Sequence, residues 1–232
     1  MTYAVILAGG SGERLGGKKP KQFLPLGNKS IIVNTIEIFQ ILKEVDLIIP
    51  VLPGDYLDAI DADVKKWKLT KILRVVQGGV TRQGSVYNAL NAVSYNAGDV
   101  IIFHDAARPF VPQKTITGII ENALENGAAG TYVSAIDTIA EIESGSVKSI
   151  PPRKNLYYTQ TPQGFRYRII KDAHEKALKK GITNATDDVS IVIDAGYEVK
   201  MVEGSYLNFK ITTQEDYLMA KNLMQNRNLK SY

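Results

Sequence analysis

The sequence predicts an α/β protein whose mostly parallel, twisted sheet is covered by helices on both faces. Two observations support this fold class. Short apolar runs of strand length alternate with segments of helical periodicity, and polar or glycine-rich segments directly follow several of these strands. Because ligands of such sheets bind beyond the carboxyl ends of the strands, these segments are the candidate functional sites. The length of 232 residues suits a single domain, 1–232.

The first strand is predicted from the apolar run Ala4–Ala8, and similar runs supply the rest of the sheet. The predicted strands are 3–8, 46–51, 72–76, 99–103, 129–135, 197–202 and 208–212. Helical periodicity predicts helices over 30–42, 56–67, 82–95, 113–125, 166–179 and 213–225. The sequence Pro53-Gly54-Asp55 is typical of a helix start and precedes the second of these helices.

One segment interrupts this alternation. Residues 137–160 show two alternating runs around Ser144-Gly145, which predicts a hairpin arm that protrudes from the sheet. Because an isolated two-stranded arm is only marginally stable in water, we expect it to pack against a partner subunit. The sequence therefore predicts a homodimer formed through this β-arm.

The composition excludes several classes of protein and site. Apolar residues make up 44% of the chain and charged residues 22%, as in ordinary globular proteins. No apolar run has the length of a membrane span, and we expect no targeting segment and a cytoplasmic location. The absence of cysteine excludes disulfides, thiolate metal ligands and a cysteine nucleophile. The net charge of +4 could serve nucleic acid, but dispersed lysines favour small anionic ligands.

A glycine-rich, basic loop follows the first strand and predicts a phosphate-binding site. Glycines let backbone N–H groups approach a phosphate, and several cations nearby suit a triphosphate. The glycines are Gly9, Gly10, Gly12, Gly16 and Gly17, and the cations are Arg14, Lys18, Lys19 and Lys21. The alternative is an ordinary strand-to-helix turn.

Two better-known glycine loops do not match this segment. Lys19 follows Lys18 where a P-loop requires a hydroxyl for Mg²⁺. Leu15 stands at the third glycine of the dinucleotide pattern, and Asp46 precedes its strand rather than closing it. The sequence therefore disfavours a P-loop nucleoside triphosphatase and a dinucleotide-dependent oxidoreductase.

The segment 101–110 carries His104, Asp105 and Arg108 from the end of a buried strand. Asp105 could bind Mg²⁺ or a ribose hydroxyl, and Arg108 could clamp a phosphate. Alternatively, the two residues form a buried ion pair that organises the loop. His104 is interpreted as a structural, hydrogen-bonding histidine.

Three further segments place polar residues at the predicted ends of elements. In 78–86, a glycine turn precedes Arg82 and Ser85, which suit contacts with a base or ribose, or simply begin a helix. In 186–192, Thr186 is predicted to cap a helix that has acidic residues in its first turn. Lys210 is an isolated cation in a predicted strand, either protecting a sheet edge or binding phosphate.

These segments, taken together and in order, resemble the cytidylyltransferases that activate small polyol phosphates. The matching segments are LAGGSGERLGGKKPKQF, GGVTRQGSV, HDAARPF, DT, R with QTPQ, TDD and NFKIT. The resemblance implies a Rossmann-like fold of the nucleotide-diphospho-sugar transferase type. It also implies transfer of CMP from CTP to a polyol phosphate, release of pyrophosphate, and Mg²⁺ as cofactor.

The resemblance further implies roles for individual residues. Arg14, Lys21 and Asp105 would be catalytic, with Asp105 also binding the metal. The implied CTP-binding residues are Ala8, Gly9, Gly10, Ser11, Gly12, Gly79, Arg82, Ser85 and Ala106. The implied acceptor-binding residues are Arg108, Thr138, Arg153 and Lys210. Because the arm of this family crosses the dimer, Thr138 and Arg153 would act on the substrate of the neighbouring subunit.

Two acceptors are compatible with this resemblance. HDAARPF, LYY-x-QTPQ and TDDVSIV favour 2-C-methyl-D-erythritol 4-phosphate, an intermediate of isoprenoid precursor synthesis. PKQFLPL and DTIAEI instead resemble enzymes of D-ribitol 5-phosphate, which make CDP-ribitol for wall and capsule polymers. Ala140 and Val80 replace a basic and an acidic residue that are usual in the first group. We expect methylerythritol phosphate, with ribitol phosphate as the alternative and a nucleotide- or nucleic-acid-binding protein as the non-enzymatic one.

Overall fold

The computed structural model describes residues 1–9 and 20–226. The strands are β1 Thr2–Leu7, β2 Pro25–Leu26, β3 Lys29–Ser30, β4 Leu47–Leu52, β5 Val76–Gln77, β6 Val100–Asp105, β7 Ala128–Ser134, β8 Glu141–Glu143, β9 Ser146–Ser149, β10 Tyr157–Arg166 and β11 Lys200–Glu203. The α-helices are α1 Ile31–Gln40, α2 Asp61–Lys66, α3 Arg82–Ala92, α4 Gln113–Asn126, α5 Tyr167–Lys179, α6 Asp188–Asp194 and α7 Gln214–Asn226. Short 3₁₀ helices cover Lys21–Phe23, Gly54–Ile60 and Arg153–Asn155.

Seven strands form one sheet in the order β11-β7-β10-β6-β1-β4-β5. β1 lies parallel to both β4 and β6, with Leu7 opposite Asp105, and β10 runs antiparallel between β6 and β7. The carboxyl ends of β1, β4 and β6 therefore meet at one edge, where the amino-terminal half of β10 also lies. Except for the hairpin, the described parts of the candidate segments lie at this edge.

Alternate side chains of β1 point into two separate cores, as the period of a strand requires. Ala4 and Ile6 pack with α1 and α4 on one face. Val5 and Leu7 pack with α3 and α5 on the other face. A sheet buried on both sides explains the continuous apolar character of β1, and it confirms the predicted α/β fold class.

Most predicted elements correspond to observed ones, but two predicted strands differ, and β10 and the two-residue strands β2 and β3 were not predicted. Of the predicted strand 72–76, the structure keeps an isolated bridge between Ile72 and Ile48 and the short β5. The predicted strand 208–212 is wrong, because this segment is a loop whose Ile211 N–H donates to Ala107 O at 2.9 Å. β10 was missed because its sequence is polar and contains Pro162, beside which the register with β7 shifts. The short α6 was also missed.

The hairpin predicted within 137–160 is present as β8 and β9, which form a separate two-stranded sheet. Its turn uses positive φ angles at Ser144 (52°) and Gly145 (81°), the conformation typical of tight hairpin turns. The last residues of the predicted range, 157–160, instead pair with β7 in the main sheet. Packing of the hairpin against a partner stays a prediction. Among the described residues, no helix combines the length and apolar character of a membrane span.

Two glycines that end helices allow a matched test of packing. Gly127 and Gly196 both adopt φ of 93°. A Cβ atom on Gly127 would lie 2.5 Å from Ile169 Cδ1, whereas a Cβ atom on Gly196 would have no other atom within 4 Å. We expect Gly196→Ala to lower the free energy of unfolding by about 1 kcal/mol, the cost of positive φ. Gly127→Ala should cost more because Ile169 must also move. Urea denaturation measures both, and equal losses would show that Ile169 moves without cost.

Candidate active site

The candidate site is centred on Asp105, the last residue of β6. Its carboxylate is almost fully buried and faces three cations. Arg108 Nε donates to Asp105 Oδ2 at 3.2 Å, and Lys210 Nζ lies 3.1 Å from the same oxygen. Arg82 Nε approaches Asp105 Oδ1 at 3.9 Å. Three segments far apart in the chain thus place cations around one carboxylate.

The electrostatics of this cluster favour an anionic ligand. Burial alone would raise the pKa of Asp105, but Lys210, Arg82 and Arg108 outweigh burial and hold it well below its usual range. The carboxylate is therefore ionised at neutral pH. It balances only part of the positive charge around it, and the Lys210 side chain remains 40% exposed. The ion pair between Asp105 and Arg108 organises the loop, and it also belongs to a cluster of cations that could bind phosphate.

His104 has a structural role, as its sequence context indicated. Its Nε2 lies 3.1 Å from Arg108 O, and its Nδ1 lies 3.1 Å from Thr161 Oγ1. The Thr161 hydroxyl also accepts the Asp105 N–H at 3.0 Å. Complete burial lowers the pKa of His104 to about 4, so the ring is neutral at pH 7. His104 and Thr161 therefore fix the loop that carries Asp105 and Arg108.

The Lys210 segment is attached to this loop by Asn208, a residue that the sequence analysis missed. Arg108 Nη1 donates to Asn208 O at 2.8 Å. The buried Asn208 amide in turn donates to Gln160 Oε1 at 3.1 Å and to Thr161 O at 2.8 Å. The description of Lys210 as an isolated cation on a strand is wrong, because it lies on a loop and pairs with Asp105. In the sequence, the polar residues of β10 were the signal that could have indicated this hydrogen-bond network.

The glycine turn at 78–79 folds against the end of β1. Gly79 N–H donates to Ser85 Oγ at 3.1 Å, and the Ser85 hydroxyl donates to Thr81 O at 3.0 Å. A Cβ atom on Gly9 would lie 3.0 Å from Ser85 Oγ, and one on Gly79 would lie 2.7 Å from the carbonyl carbon of Gly84. The backbone contact requires glycine at position 79, whereas a Cβ atom at position 9 would need the Ser85 hydroxyl to shift by a few tenths of an ångström. These contacts bring two predicted CTP-binding segments side by side.

Arg82 begins α3 and connects two carboxylates. Its Nη1 donates to Asp188 Oδ2 at 2.6 Å, a much closer contact than the one with Asp105. Burial would lower the pKa of Arg82, but Asp188 and Asp105 raise it above its ordinary value. The predicted cap Thr186 is wrong, since Asp187 is the N-cap of α6 and accepts from Val189 N–H and Ser190 N–H. A side chain one residue later reaches the two free N–H groups better.

The remaining predicted CTP residues lie at the end of β1 or outside the described residues. Ala8 and Ala106 are buried, and Ala106 N–H donates to Leu7 O at 2.9 Å. Lys21 begins the 3₁₀ helix Lys21–Phe23, whose Gln22 amide donates to Ala8 O. Lys21 therefore begins a segment that is held to the end of β1. The predictions for Gly10, Ser11, Gly12 and Arg14 fall outside the described residues.

The two hairpin residues stand apart from this cluster. Thr138 and Arg153 are both exposed, and Arg153 Nη1 donates to Ile136 O at 2.8 Å. No hydrogen bond or ion pair between the described residues connects either of them to Asp105. The structure of one chain therefore does not bring these two predicted acceptor ligands together with Arg108 and Lys210.

The fit of a metal ion rests on Asp105 alone. Within 1–9 and 20–226, no three His, Cys, Asp or Glu side chains come together as a metal site. Asp105 Oδ1, which its cations hold less closely than Oδ2, fits one ligand position of Mg²⁺. Magnesium sites commonly combine one or two carboxylates with water and substrate phosphate oxygens.

Comparison with known proteins identifies the family. A family model described as 2-C-methyl-D-erythritol 4-phosphate cytidylyltransferase matches residues 2–226. This chain belongs to that family. It is therefore a CTP-dependent cytidylyltransferase, as predicted, and a nucleotidyltransferase rather than a binding module. The predicted resemblance to polyol-phosphate cytidylyltransferases is confirmed.

Individual relatives include both acceptor types. A 2-C-methyl-D-erythritol 4-phosphate cytidylyltransferase of Clostridium botulinum is 40% identical over 222 residues, covering 95% of this chain and 96% of the relative. A ribitol-5-phosphate cytidylyltransferase of Lactiplantibacillus plantarum is 38% identical, covering 98% and 100%. The crystal structure of a 4-diphosphocytidyl-2C-methyl-D-erythritol synthase from Anaerococcus prevotii superposes with a TM-score of 0.84 at 30% identity, covering 97% of this chain and 96% of that chain.

The burial of His104 predicts how the free energy of unfolding of the cytidylyltransferase depends on pH. The pKa of His104 is about 4 in the folded state and near its ordinary 6.5 in the unfolded state, so the unfolded chain binds the proton first. The free energy of unfolding should therefore fall as the pH drops from 6.5 towards 4, with about 3 kcal/mol from this residue. In His104→Gln this contribution disappears, and the stability gap to the wild type should narrow on acidification. A gap that stays constant in urea denaturation from pH 7 to 4 would contradict the assignment.

Proposed function

We propose that this enzyme transfers CMP from CTP to 2-C-methyl-D-erythritol 4-phosphate, giving 4-diphosphocytidyl-2-C-methyl-D-erythritol and pyrophosphate. One observation carries the chemistry: Arg82, Arg108 and Lys210 converge on Asp105 at the strand ends beside the glycine turn. A site that joins two phosphorylated molecules needs such an excess of fixed positive charge.

The reaction is an in-line displacement at phosphorus. An oxygen of the acceptor phosphate forms a bond to the α-phosphorus of CTP, and the bond between that phosphorus and the β-phosphate oxygen breaks. The electron pair leaves with pyrophosphate. A phosphate monoester is itself a competent nucleophile, so no serine or cysteine nucleophile is required, in agreement with the absence of cysteine. Positioning and electrostatics then supply the acceleration.

The positive charge of the site reduces the repulsion between the two anionic substrates, which is the main barrier to this reaction. At an effective dielectric constant of 20, each pair of unit charges about 4 Å apart repels by about 4 kcal/mol. In the proposal, Arg108 and Lys210 bind the acceptor phosphate, while Arg14 and Lys21 contact the α-phosphate of CTP. Arg108 and Lys210, which Asp105 holds in place, offset this repulsion without further reorganisation.

The nucleotide would lie along the end of β1 and the glycine turn. The proposed contacts are Ala8, Gly9, Gly10, Ser11, Gly12, Gly79, Arg82, Ser85 and Ala106. The close approach of Gly9 to Ser85 supports this placement, because it brings the end of β1 against the glycine turn. Asp105 would supply a carboxylate ligand to Mg²⁺, which when bound neutralises charge on the triphosphate.

The choice of acceptor rests on the balance of relatives and motifs. Relatives named for methylerythritol phosphate include proteins 41% identical to this chain, and the family model carries the same name. The relative named for ribitol 5-phosphate is nearly as similar, at 38%, so ribitol 5-phosphate is the second candidate. Val80 and Ala140, where the first group usually has charged residues, are both exposed and favour this alternative.

We further propose that the enzyme is a cytoplasmic homodimer in which the hairpin contacts the partner. The exposed apolar side chains around the hairpin support this arrangement: Ile136, Ile142, Val147, Ile150, Tyr157 and Tyr158. Several large apolar side chains exposed in one segment are costly in water and typical of a protein interface. In the dimer, Thr138 and Arg153 would complete the acceptor site of the neighbouring subunit.

A parallel assay tests the reaction and its acceptor. The purified protein is incubated with CTP, Mg²⁺ and either methylerythritol 4-phosphate or ribitol 5-phosphate, and pyrophosphate and the CDP product are measured. We expect efficient turnover with the first acceptor, and Lys21→Ala should lower kcat by about 100-fold or more with little change in melting temperature. Lys43→Ala, an exposed lysine elsewhere, is the control. Turnover with ribitol 5-phosphate alone would reverse the choice of acceptor.

The hairpin is tested with Arg153→Ala and its neighbour Lys154→Ala, two exposed cations of one 3₁₀ turn. Arg153→Ala should raise KM for the acceptor by about tenfold or more while KM for CTP changes little, and Lys154→Ala should change neither. Mixing inactive Lys21→Ala subunits with Arg153→Ala subunits should restore part of the activity in heterodimers. Confirmed heterodimers without any recovery would show that each site is built from one chain.

A further inference from the structure

We propose that Asp188 is a positioning residue that orients Arg82 for binding of CTP. This inference rests on the proposed function, in which Arg82 contacts the nucleotide. Asp188 is fully buried in the first turn of α6, and it was interpreted from sequence only as part of a helix start. Its carboxylate contacts Arg82 and acts through it.

The distances identify Asp188 as the principal partner of Arg82. Arg82 Nη1 donates to Asp188 Oδ2 at 2.6 Å, whereas Arg82 Nε lies 3.9 Å from Asp105 Oδ1, beyond hydrogen-bond distance. The guanidinium is therefore held at one end by Asp188, while its Nε faces the Asp105 cluster. A rigid planar fork held in this way presents its remaining N–H groups in a fixed direction.

Asp188 has a second buried partner on the side away from Arg82. Its other oxygen, Oδ1, lies 3.3 Å from Nε2 of the fully buried His174 on α5. Burial would raise the pKa of Asp188, but Arg82 and His174 lower it, so the carboxylate is charged where it meets the guanidinium. A buried charged side chain with two partners has few alternative rotamers.

The segment before α6 is also attached to the nucleotide turn. Thr81 Oγ1 donates to Thr183 O at 3.0 Å, and Gln83 Nε2 donates to Ile182 O at 2.7 Å. Ala185 N–H donates to Gln83 Oε1 at 2.8 Å. The start of α3, which carries Arg82, and the segment leading to Asp188 thus form one hydrogen-bonded unit. This unit would keep the distance between Asp188 and Arg82 constant when a nucleotide binds.

Removing Asp188 should change the kinetic constants differently depending on whether it forms a purely structural ion pair or positions Arg82. Removal of a structural pair lowers stability and affects all kinetic constants through the amount of folded enzyme. Removal of a positioning residue selectively weakens the ligand that Arg82 binds. The separation of KM for CTP from kcat and from KM for the acceptor therefore distinguishes the two.

Asp188→Asn is the first test, because it keeps the shape of the side chain and removes its charge. We expect KM for CTP, and the Kd of CTP in calorimetry, to rise about tenfold. The values of kcat and KM for the acceptor should stay within about twofold. Asp187→Asn is the matched control, since it removes one charge from the adjacent residue and asparagine is an equally good N-cap, so it should change KM for CTP less than twofold. A change in kcat alone after Asp188→Asn would overturn the inference.

A double-mutant cycle shows whether Asp188 acts through Arg82. Arg82→Gln should weaken CTP binding, and adding Asp188→Asn should then cause less than a twofold further loss, because the guanidinium to be oriented is gone. If the two losses multiply as independent effects, Asp188 does not act through Arg82 and the inference is wrong.

A second variant covers the case in which Asp188→Asn does not fold. His174→Phe keeps a ring but removes the nitrogen that faces Asp188, and it should raise the Kd of CTP about threefold without a comparable change in kcat; an unchanged Kd would overturn the inference. Calorimetry separates these outcomes from failure of the proposed function. An enzyme that binds CTP in an Asp188-dependent way but transfers no CMP would refute only the proposed reaction.

Discussion

The candidate site depends on one buried carboxylate that holds several cations together. Without Asp105, Arg108 and Lys210 would repel each other and extend into solvent, where long basic side chains lose little entropy. With it, cations from α3, from the loop after β6 and from the segment before α7 meet at one point. The sum is still positive, so the anion that assembles the site leaves charge for phosphate groups. Assembly and binding capacity thus come from the same interaction.

The polar character of β10 has its explanation in this arrangement. An anion and its cations can be fixed at a strand end only if the adjoining loops are fixed too, and their backbone groups must be satisfied when buried. Thr161 accepts the Asp105 N–H, and Gln160 and Asn208 connect the Lys210 segment to the same strand. A purely apolar β10 would pack in the sheet equally well but would leave these groups without partners. β10 is therefore both a strand of the central sheet and the source of the polar side chains that hold the loops of the site.

The fold class and the strand ends could be predicted from sequence because they follow from local patterns. The apolar period of β1 and the position of Asp105 at the end of β6 need no long-range information. The partners of Asp105 do: Lys210 lies 105 positions away in the chain, and its contact depends on how the loop docks on Ala107. Asp188 was missed for a related reason, since an acid in a first helical turn is ordinarily explained by the helix itself. Only its burial against Arg82 shows a different role.

The same cluster explains why acceptor identity is difficult to infer from the most conspicuous residues. Methylerythritol 4-phosphate and ribitol 5-phosphate both present a phosphate monoester, and Arg108 and Lys210 would bind that group alike. Discrimination must come from side chains that contact the hydroxyl-bearing carbon chain, where a missing hydrogen bond leaves a polar group unpaired. Within one chain, the exposed hairpin residues such as Thr138 and Arg153 lie away from the Asp105 cluster. If a partner subunit supplies them, substrate choice can change through the hairpin while the cytidylyl-transfer site stays constant, which accounts for two acceptor types among relatives of similar identity.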